Sequence, residues 1–166
     1  KVGITLNLTP AHPAADNDAD RAAADRHDRD SNRWFLDPLF HGRYPEDLYN
    51  GQGGAALLPV QNGDLETIKV PIDFLGLNNY SRLVVKAGPN GDGSDDEITH
   101  PEGSEYTAMG WEVSPDALRG LLVRVQRDYQ PPAIYITENG AAFDDSLDDD
   151  QAHDPRRVAY YQAYLR

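Results

Sequence analysis

The feature that most constrains this chain is Ile134-Tyr135-Ile136-Thr137-Glu138-Asn139-Gly140, an apolar run of β-forming residues that stops at a carboxylate, an amide and a glycine. Continuous apolar runs of this length belong to strands buried on both faces, as in parallel sheets covered by helices. The run reads as a buried strand that delivers one acid to its C-terminal end, where α/β sheets and barrels place their chemistry. A carboxylate at a strand end is also where a chain simply reaches water, so the rest of the sequence has to separate the two readings.

Residues 2–8 and 73–79 carry similar strand patterns, and helical segments alternate with them. A helix is expected over 17–35, with Asp18, Asp20 and Asp25 favouring its N-terminal dipole end. Pro38, Gly42 and Pro45 mark an irregular connection. Pro45-Glu46-Asp47-Leu48 opens a short helix with Pro in its first position, and another helical segment is expected at 64–69. Lys86 to Glu105, with several glycines and little apolar periodicity, reads as a long exposed loop.

Ser114-Pro115 starts a helix with Ser at the N-cap and Pro at N1, and Leu118, Leu121, Leu122 and Val125 line one face of it. Pro131-Pro132 ends that helix, and the third strand follows over 133–137. The acidic run Asp144 to Asp150 lacks the ligand spacing and glycine of an EF-hand and reads as a solvated loop. Asp154-Pro155 then caps a last helix in which Val158, Tyr161 and Leu165 share a face. The order β-α-β-α-β-α specifies a parallel sheet with right-handed crossovers.

Five segments, in this order along the chain, resemble glycoside hydrolase family 1, the retaining β-glucosidases and their relatives. Trp34-Phe35-Leu36-Asp37-Pro38 with Gly42-Arg43-Tyr44-Pro45 is similar to its WFxDPxxxGxYP segment, and Phe74-Leu75-Gly76-Leu77-Asn78-Asn79-Tyr80 to its FxGxNYY strand. Met109-Gly110-Trp111-Glu112-Val113-Ser114-Pro115 is similar to its GWEVxP segment. Ile136-Thr137-Glu138-Asn139-Gly140 resembles its nucleophile motif, and His153-Asp154-Pro155-Arg156-Arg157 the start of the helix that follows. The resemblance implies an α/β fold, the (β/α)8 TIM barrel, of which the chain supplies about three consecutive β-α units, the fifth to seventh. A complete barrel takes ~250 residues, whereas this chain has 166. The expectation is one partial barrel domain over 1–166 with no second domain. The first residue falls inside a strand pattern and the last inside a helical one, so both ends read as cut.

Composition narrows the partners. Asp and Glu total 28 against 15 Lys and Arg, a formal charge of -13, which argues against nucleic acid or an anionic membrane as partner and suits a neutral substrate. The absence of cysteine excludes disulfides, thiolate zinc sites and a cysteine nucleophile. No apolar run approaches the ~20 residues of a membrane span and none resembles a signal peptide, so a soluble, cytoplasmic chain is expected. His12, His27, His41, His100 and His153 have no metal-ligand spacing and read as loop or surface residues; no metal or other cofactor is expected.

The family resemblance implies roles for four residues. Glu138 matches the nucleophile, and Tyr80 the tyrosine that hydrogen-bonds and orients it. Asn78 belongs to the polar network around the carboxylates or the sugar, and Trp111 to the aglycone side of the pocket. Asn79 departs from the second position of the family's Asn-Tyr-Tyr, but on a strand it points away from the face shared by Asn78 and Tyr80. Trp34 reads as a packing residue, while Asn139 and Gly140 shape the turn that presents Glu138, glycine permitting backbone conformations that other residues avoid. The family's acid/base motif, T-x-N-E-P, is absent, and none of Glu46, Glu66, Glu97, Glu102, Glu105 or Glu112 has the strand-end setting to replace it. The implied function of the complete protein is retaining hydrolysis of terminal β-D-glucosyl residues from small β-glucosides or oligosaccharides, with the remainder of the barrel as necessary partner and this chain alone inactive. The alternatives are a non-catalytic barrel fragment or binding module and, within the enzyme class, a 6-phospho-β-glucosidase or β-galactosidase.

Overall fold

A computed structural model describes residues 1–46, 59–145, 147–148 and 151–166. In chain order the elements are β1 (Gly3–Asn7), β2 (Ala11–Pro13), α1 (Asp18–Asp28), α2 (Trp34–Leu36), α3 (Asp64–Ile68), β3 (Phe74–Asn78), β4 (Leu83–Lys86) and β5 (Glu97–Ile98). They continue with α4 (Pro115–Tyr129), β6 (Ile134–Glu138), β7 (Leu147–Asp148), β8 (Gln151–Ala152) and α5 (Pro155–Tyr164). The helix expected at Pro45 to Leu48 falls largely on residues outside the described set.

The three expected strands form one parallel sheet in the order β1-β3-β6. Alternation along β1 and β3 sends Leu6, Leu8, Leu75 and Leu77 to one face, where they pack with Leu36 from α2 and Leu118, Leu121, Val125 and Tyr129 from α4. Thr5, Asn7, Gly76 and Asn78 occupy the opposite face. That concave face is narrow at Gly76, where an added Cβ would lie 2.3 Å from Thr5 Oγ1, so only glycine fits there.

The two outer sequence runs differ from expectation in instructive ways. The first helix does not stop near residue 35: α1 runs on through a π turn at Arg29–Arg33, the single turn α2 and a second π turn at Asp37–His41. Pro38 falls inside this continuous run, where it lacks the N–H for the hydrogen-bond ladder, and the π turn there is the kind of irregularity at which such a break is absorbed. Gly42, at φ 68°, ends the run in the left-handed region. The third strand, expected to be buried, is exposed at four of its five positions, because β6 is the sheet edge and among the described residues no further strand pairs with its outer side.

A second small sheet, in the order β2-β4-β5, stands where no strands are expected. β2 pairs in parallel with β4, and β4 pairs antiparallel with β5 inside the expected Lys86 to Glu105 loop. Ala23 and Ala24 of α1 pack on Val85 of β4, so small helix residues let helix and sheet approach closely. Asp20, expected only to favour the helix dipole, is 6% exposed and accepts the backbone N–H of Ala15 at 3.0 Å and of Ala87 at 2.9 Å. It fastens the start of α1 to the strands on either side. Within Asp144 to Asp150, expected to be a loop, Leu147–Asp148 pairs with Gln151–Ala152.

Both later helices have their predicted starts but differ in detail. Pro115 stands at N1 of α4, yet the Ser114 side chain makes no capping bond; its backbone N–H instead donates to Tyr164 Oη at 2.9 Å. At α5 Asp154 caps by accepting the N–H of Arg157. The buried face of α5 is Tyr160 and Tyr164, whose rings stack at 4.1 Å, while Val158, Tyr161 and Leu165 are exposed. The i, i+4 tyrosine pair wins because each ring carries a hydroxyl that finds a partner in the interior, Asn139 for one and Ser114 for the other.

Candidate active site

The site lies at the C-terminal ends of β3 and β6, and one irregularity creates it. The strands run in step from Leu75 opposite Ile134 to Leu77 opposite Ile136, after which Asn78 pairs with Glu138 and Thr137 is skipped. Simple alternation from Tyr135 would send Thr137 to the concave face and Glu138 to the helix side. Thr137 does keep the concave face, where it bonds Asn78, and the extra residue brings Glu138 to the face of Asn78 as well.

Hydrogen bonds pin the bulge. Asn78 donates through Nδ2 to Asn7 Oδ1 at 2.9 Å and accepts from Thr137 Oγ1 at 2.6 Å, so one amide spans three strands. Asn79 faces away as expected and is 3% exposed, giving its Nδ2 hydrogens to the carbonyls of Leu8 at 2.8 Å and Ser81 at 2.9 Å. Its backbone N–H donates to Glu138 O at 3.0 Å. Asn139 donates from Nδ2 to Asn79 O at 2.9 Å and to Tyr160 Oη at 3.0 Å, tying the turn to β3 and α5. Gly140 does not adopt a positive φ, and a Cβ there would meet Tyr161 Oη at 3.4 Å, an ordinary contact, so neither conformation nor space requires glycine at this turn.

Tyr80 closes the arrangement. Its hydroxyl donates to Glu138 Oε2, and that bond, followed by desolvation, raises the phenol above the ordinary tyrosine value, so it keeps the proton it donates. The Trp111 ring lies 5.2 Å from the Tyr80 ring and is 39% exposed. Both rings line a cleft of about 270 Å³ whose floor includes Arg82 and Glu112. The structure thus brings Asn78, Tyr80 and Glu138 together at the strand ends, with Trp111 beside Tyr80. Trp34 lies apart and packs on Tyr44 at 5.0 Å.

Glu112, which has no strand-end setting, and Arg82 form a pair beside these residues. Glu112 is 7% exposed and accepts from Arg82 Nε at 2.7 Å, Arg82 Nη2 at 2.9 Å and Ser104 Oγ at 2.7 Å. The Arg82 bond above all holds its carboxyl below the ordinary glutamate value, which suits an ion-pair partner and not a proton donor. His12, read as a loop or surface residue, is a half-buried member of β2 whose Nδ1 lies 3.1 Å from Arg82 Nη1; burial lowers its pKa and favours the neutral ring. The available signal was position: Arg82 follows Tyr80 by two residues and Glu112 follows Trp111 directly. Among the described residues no group of three or more His, Asp or Glu is placed to hold a metal, and no helix is long and apolar enough to cross a membrane.

The model of the family described as glycosyl hydrolase family 1 matches residues 1–166. The chain is 43% identical to the thermostable β-glucosidase B of Thermobispora bispora, covering 100% of this chain and 35% of that protein. It is 39% identical to β-glucosidase A of Acetivibrio thermocellus, over 99% of this chain and 38% of that protein. A β-glucosidase structure from Exiguobacterium marinum superposes with a TM-score of 0.89 at 41% identity, over 98% of this chain and 37% of that one. The chain therefore spans little more than a third of the length of these relatives, and its three-stranded arc is part of their (β/α)8 barrel. By sequence and by fold, this chain belongs to glycosyl hydrolase family 1.

Proposed function

We propose that the complete protein is a retaining β-glucosidase in which Glu138 is the nucleophile. The observation that carries this reading is the Tyr80 hydroxyl bound to Glu138 Oε2 at adjacent strand ends, beside the exposed ring of Trp111. The names of the relatives support β-glucosides as the substrate class.

Retention requires two carboxyl groups roughly 5 to 5.5 Å apart. Glu138 attacks the anomeric carbon with one oxygen as the bond to the aglycone oxygen breaks, and a second carboxylic acid, from a strand outside this chain, protonates that leaving oxygen. Tyr80 holds Oε2, which leaves Oε1 free to attack. In the second step the other carboxylate takes a proton from water, water attacks the anomeric carbon, and Glu138 leaves as carboxylate. Asn78 offers its amide to a sugar hydroxyl or to the carboxylate network, and Trp111 stacks against the aglycone.

The test is to incubate the complete enzyme with a 2-deoxy-2-fluoro-β-glucoside bearing a good leaving group and to map the labelled peptide. Label on Glu138 is expected, at one equivalent per active site. Label on another residue, or turnover that survives Glu138→Gln, overturns the assignment.

A further inference from the structure

The ring of Trp111 has little to hold it. It is 39% exposed, its ring contact is with Tyr80, and the surrounding segment from Ser104 to Val113 is irregular apart from one bridge between Tyr106 and Glu112. Where packing does not set a side chain's direction, the backbone on either side must. On one side Thr107 makes a small closed turn: its N–H donates to Trp111 O at 2.9 Å and its Oγ1 accepts from Trp111 N at 3.2 Å. On the other side stands Glu112.

Glu112 is engaged on every side. Arg82 grips both carboxylate oxygens with a two-pronged fork, Ser104 Oγ adds a bond to Oε1, and Ser81 Oγ donates to the Glu112 carbonyl at 3.0 Å. The third arm of the guanidinium is taken up by His12 Nδ1. Only 7% of the Glu112 side chain and 26% of the Arg82 side chain are accessible. A buried ion pair of this kind adds little net stability compared with apolar packing, but its planar fork fixes orientation as well as distance. This fork joins the residue after Trp111 to the second residue after Tyr80, so it sets how the two rings meet along the wall of the cleft.

We propose that the Arg82–Glu112 pair is a positioning device for the leaving-group side of the site, holding the Trp111 wall at its working distance from Tyr80 and Glu138. The inference rests on the β-glucosidase reading above. Neither residue touches the reacting atoms. Their influence is felt where an aglycone ring must lie against Trp111, and is small for a leaving group with no ring at all.

The experiment compares the complete wild-type enzyme with Glu112→Gln and Arg82→Lys, measuring kcat/KM for an aryl β-glucoside and for β-glucosyl fluoride. Both substrates form the same glycosyl-enzyme, but only the first carries an aglycone ring. The expected result is a loss of about tenfold with the aryl glucoside, mainly in KM, and of less than about twofold with the fluoride. Arg82→Lys keeps the charge and loses the fork, so it shows the same ratio if Glu112→Gln fails to fold. A charge reversal, Arg82→Glu with Glu112→Arg, restores part of the aryl activity. Equal losses on both substrates, or no loss on either, overturn the positioning role. A wild-type enzyme that is neither active nor labelled at Glu138 overturns the catalytic reading and the device with it, whereas a labelled wild type with an unmoved aryl-to-fluoride ratio overturns the device alone.

Discussion

The two strands that carry the site are neighbours in one ladder and yet are built differently. β3 is central: Leu75 and Leu77 are fully buried and its end is held by Asn79 against β1. β6 lies at the edge, with Tyr135 51% and Ile136 44% exposed. The tyrosine side of the site is thus preorganised by this chain's own core, whereas the carboxylate side leans on bonds borrowed from β3 and α5. A site assembled on one supported and one unsupported strand is complete only when further structure covers the second.

Several measurements would sharpen or break this contrast, and the largest effect belongs to β6. If Glu138 is the nucleophile proposed above, Glu138→Gln in the complete enzyme lowers kcat by about 10⁴-fold or more, because a nucleophile has no substitute. Steady-state rates with an aryl β-glucoside check this, and a loss below tenfold would place the chemistry elsewhere. Next come the strands themselves. Leu77→Ala should cost about 2–5 kcal/mol in denaturant unfolding, a cavity in the core being left behind. Ile136→Ala should cost as much in the complete protein if further elements cover β6, and only about 1 kcal/mol if β6 stays an edge.

Tyr80→Phe probes the bond that links the two strands. Removing a hydrogen bond to a charged group is worth about 1.5–3 kcal/mol. A kcat lower by roughly 10- to 100-fold is therefore expected, with KM changed little. An unchanged kcat would show that Glu138 is held by β6 alone.

The smallest effect is one of pH. The Glu112 carboxyl lies below its ordinary value of 4.5 because Arg82 bonds the charged form. The stability this confers is full above 4.5 and is lost as pH falls through the lowered folded-state value. The stability deficit of Glu112→Gln relative to wild type should accordingly shrink on acidification below that point. A deficit that stays constant through acid pH would mean the pair contributes only by shape.

Much of this was legible along the chain because it is local. Apolar runs located all three strands of the main sheet, Pro115 and Asp154 marked the starts of α4 and α5, and the run of motifs pointed to the family that the whole-chain comparison identifies. The Asn79 side chain also faced away from Asn78, since strand alternation needs no partner to be read. What failed were inferences that depend on which surfaces meet. The face of α5 was misassigned because Tyr160 and Tyr164 were buried by contacts with Ser114 and Asn139, both distant in sequence. β2 and β5, of three and two residues, are too short to show a period and exist because β4 lies between them.

The sequence by itself determined the strands, their order and the residues at their ends, since these follow from periodicity and turn chemistry within a few residues. Only the tertiary structure decided that Glu138 turns to the face of Asn78 and meets the Tyr80 hydroxyl, because a single extra residue at Thr137 interrupts the strand's alternation and nothing local marks where a register will slip. It likewise decided that Glu112 is spent on Arg82, a pairing between residues 30 positions apart that exists only once the two segments pack together.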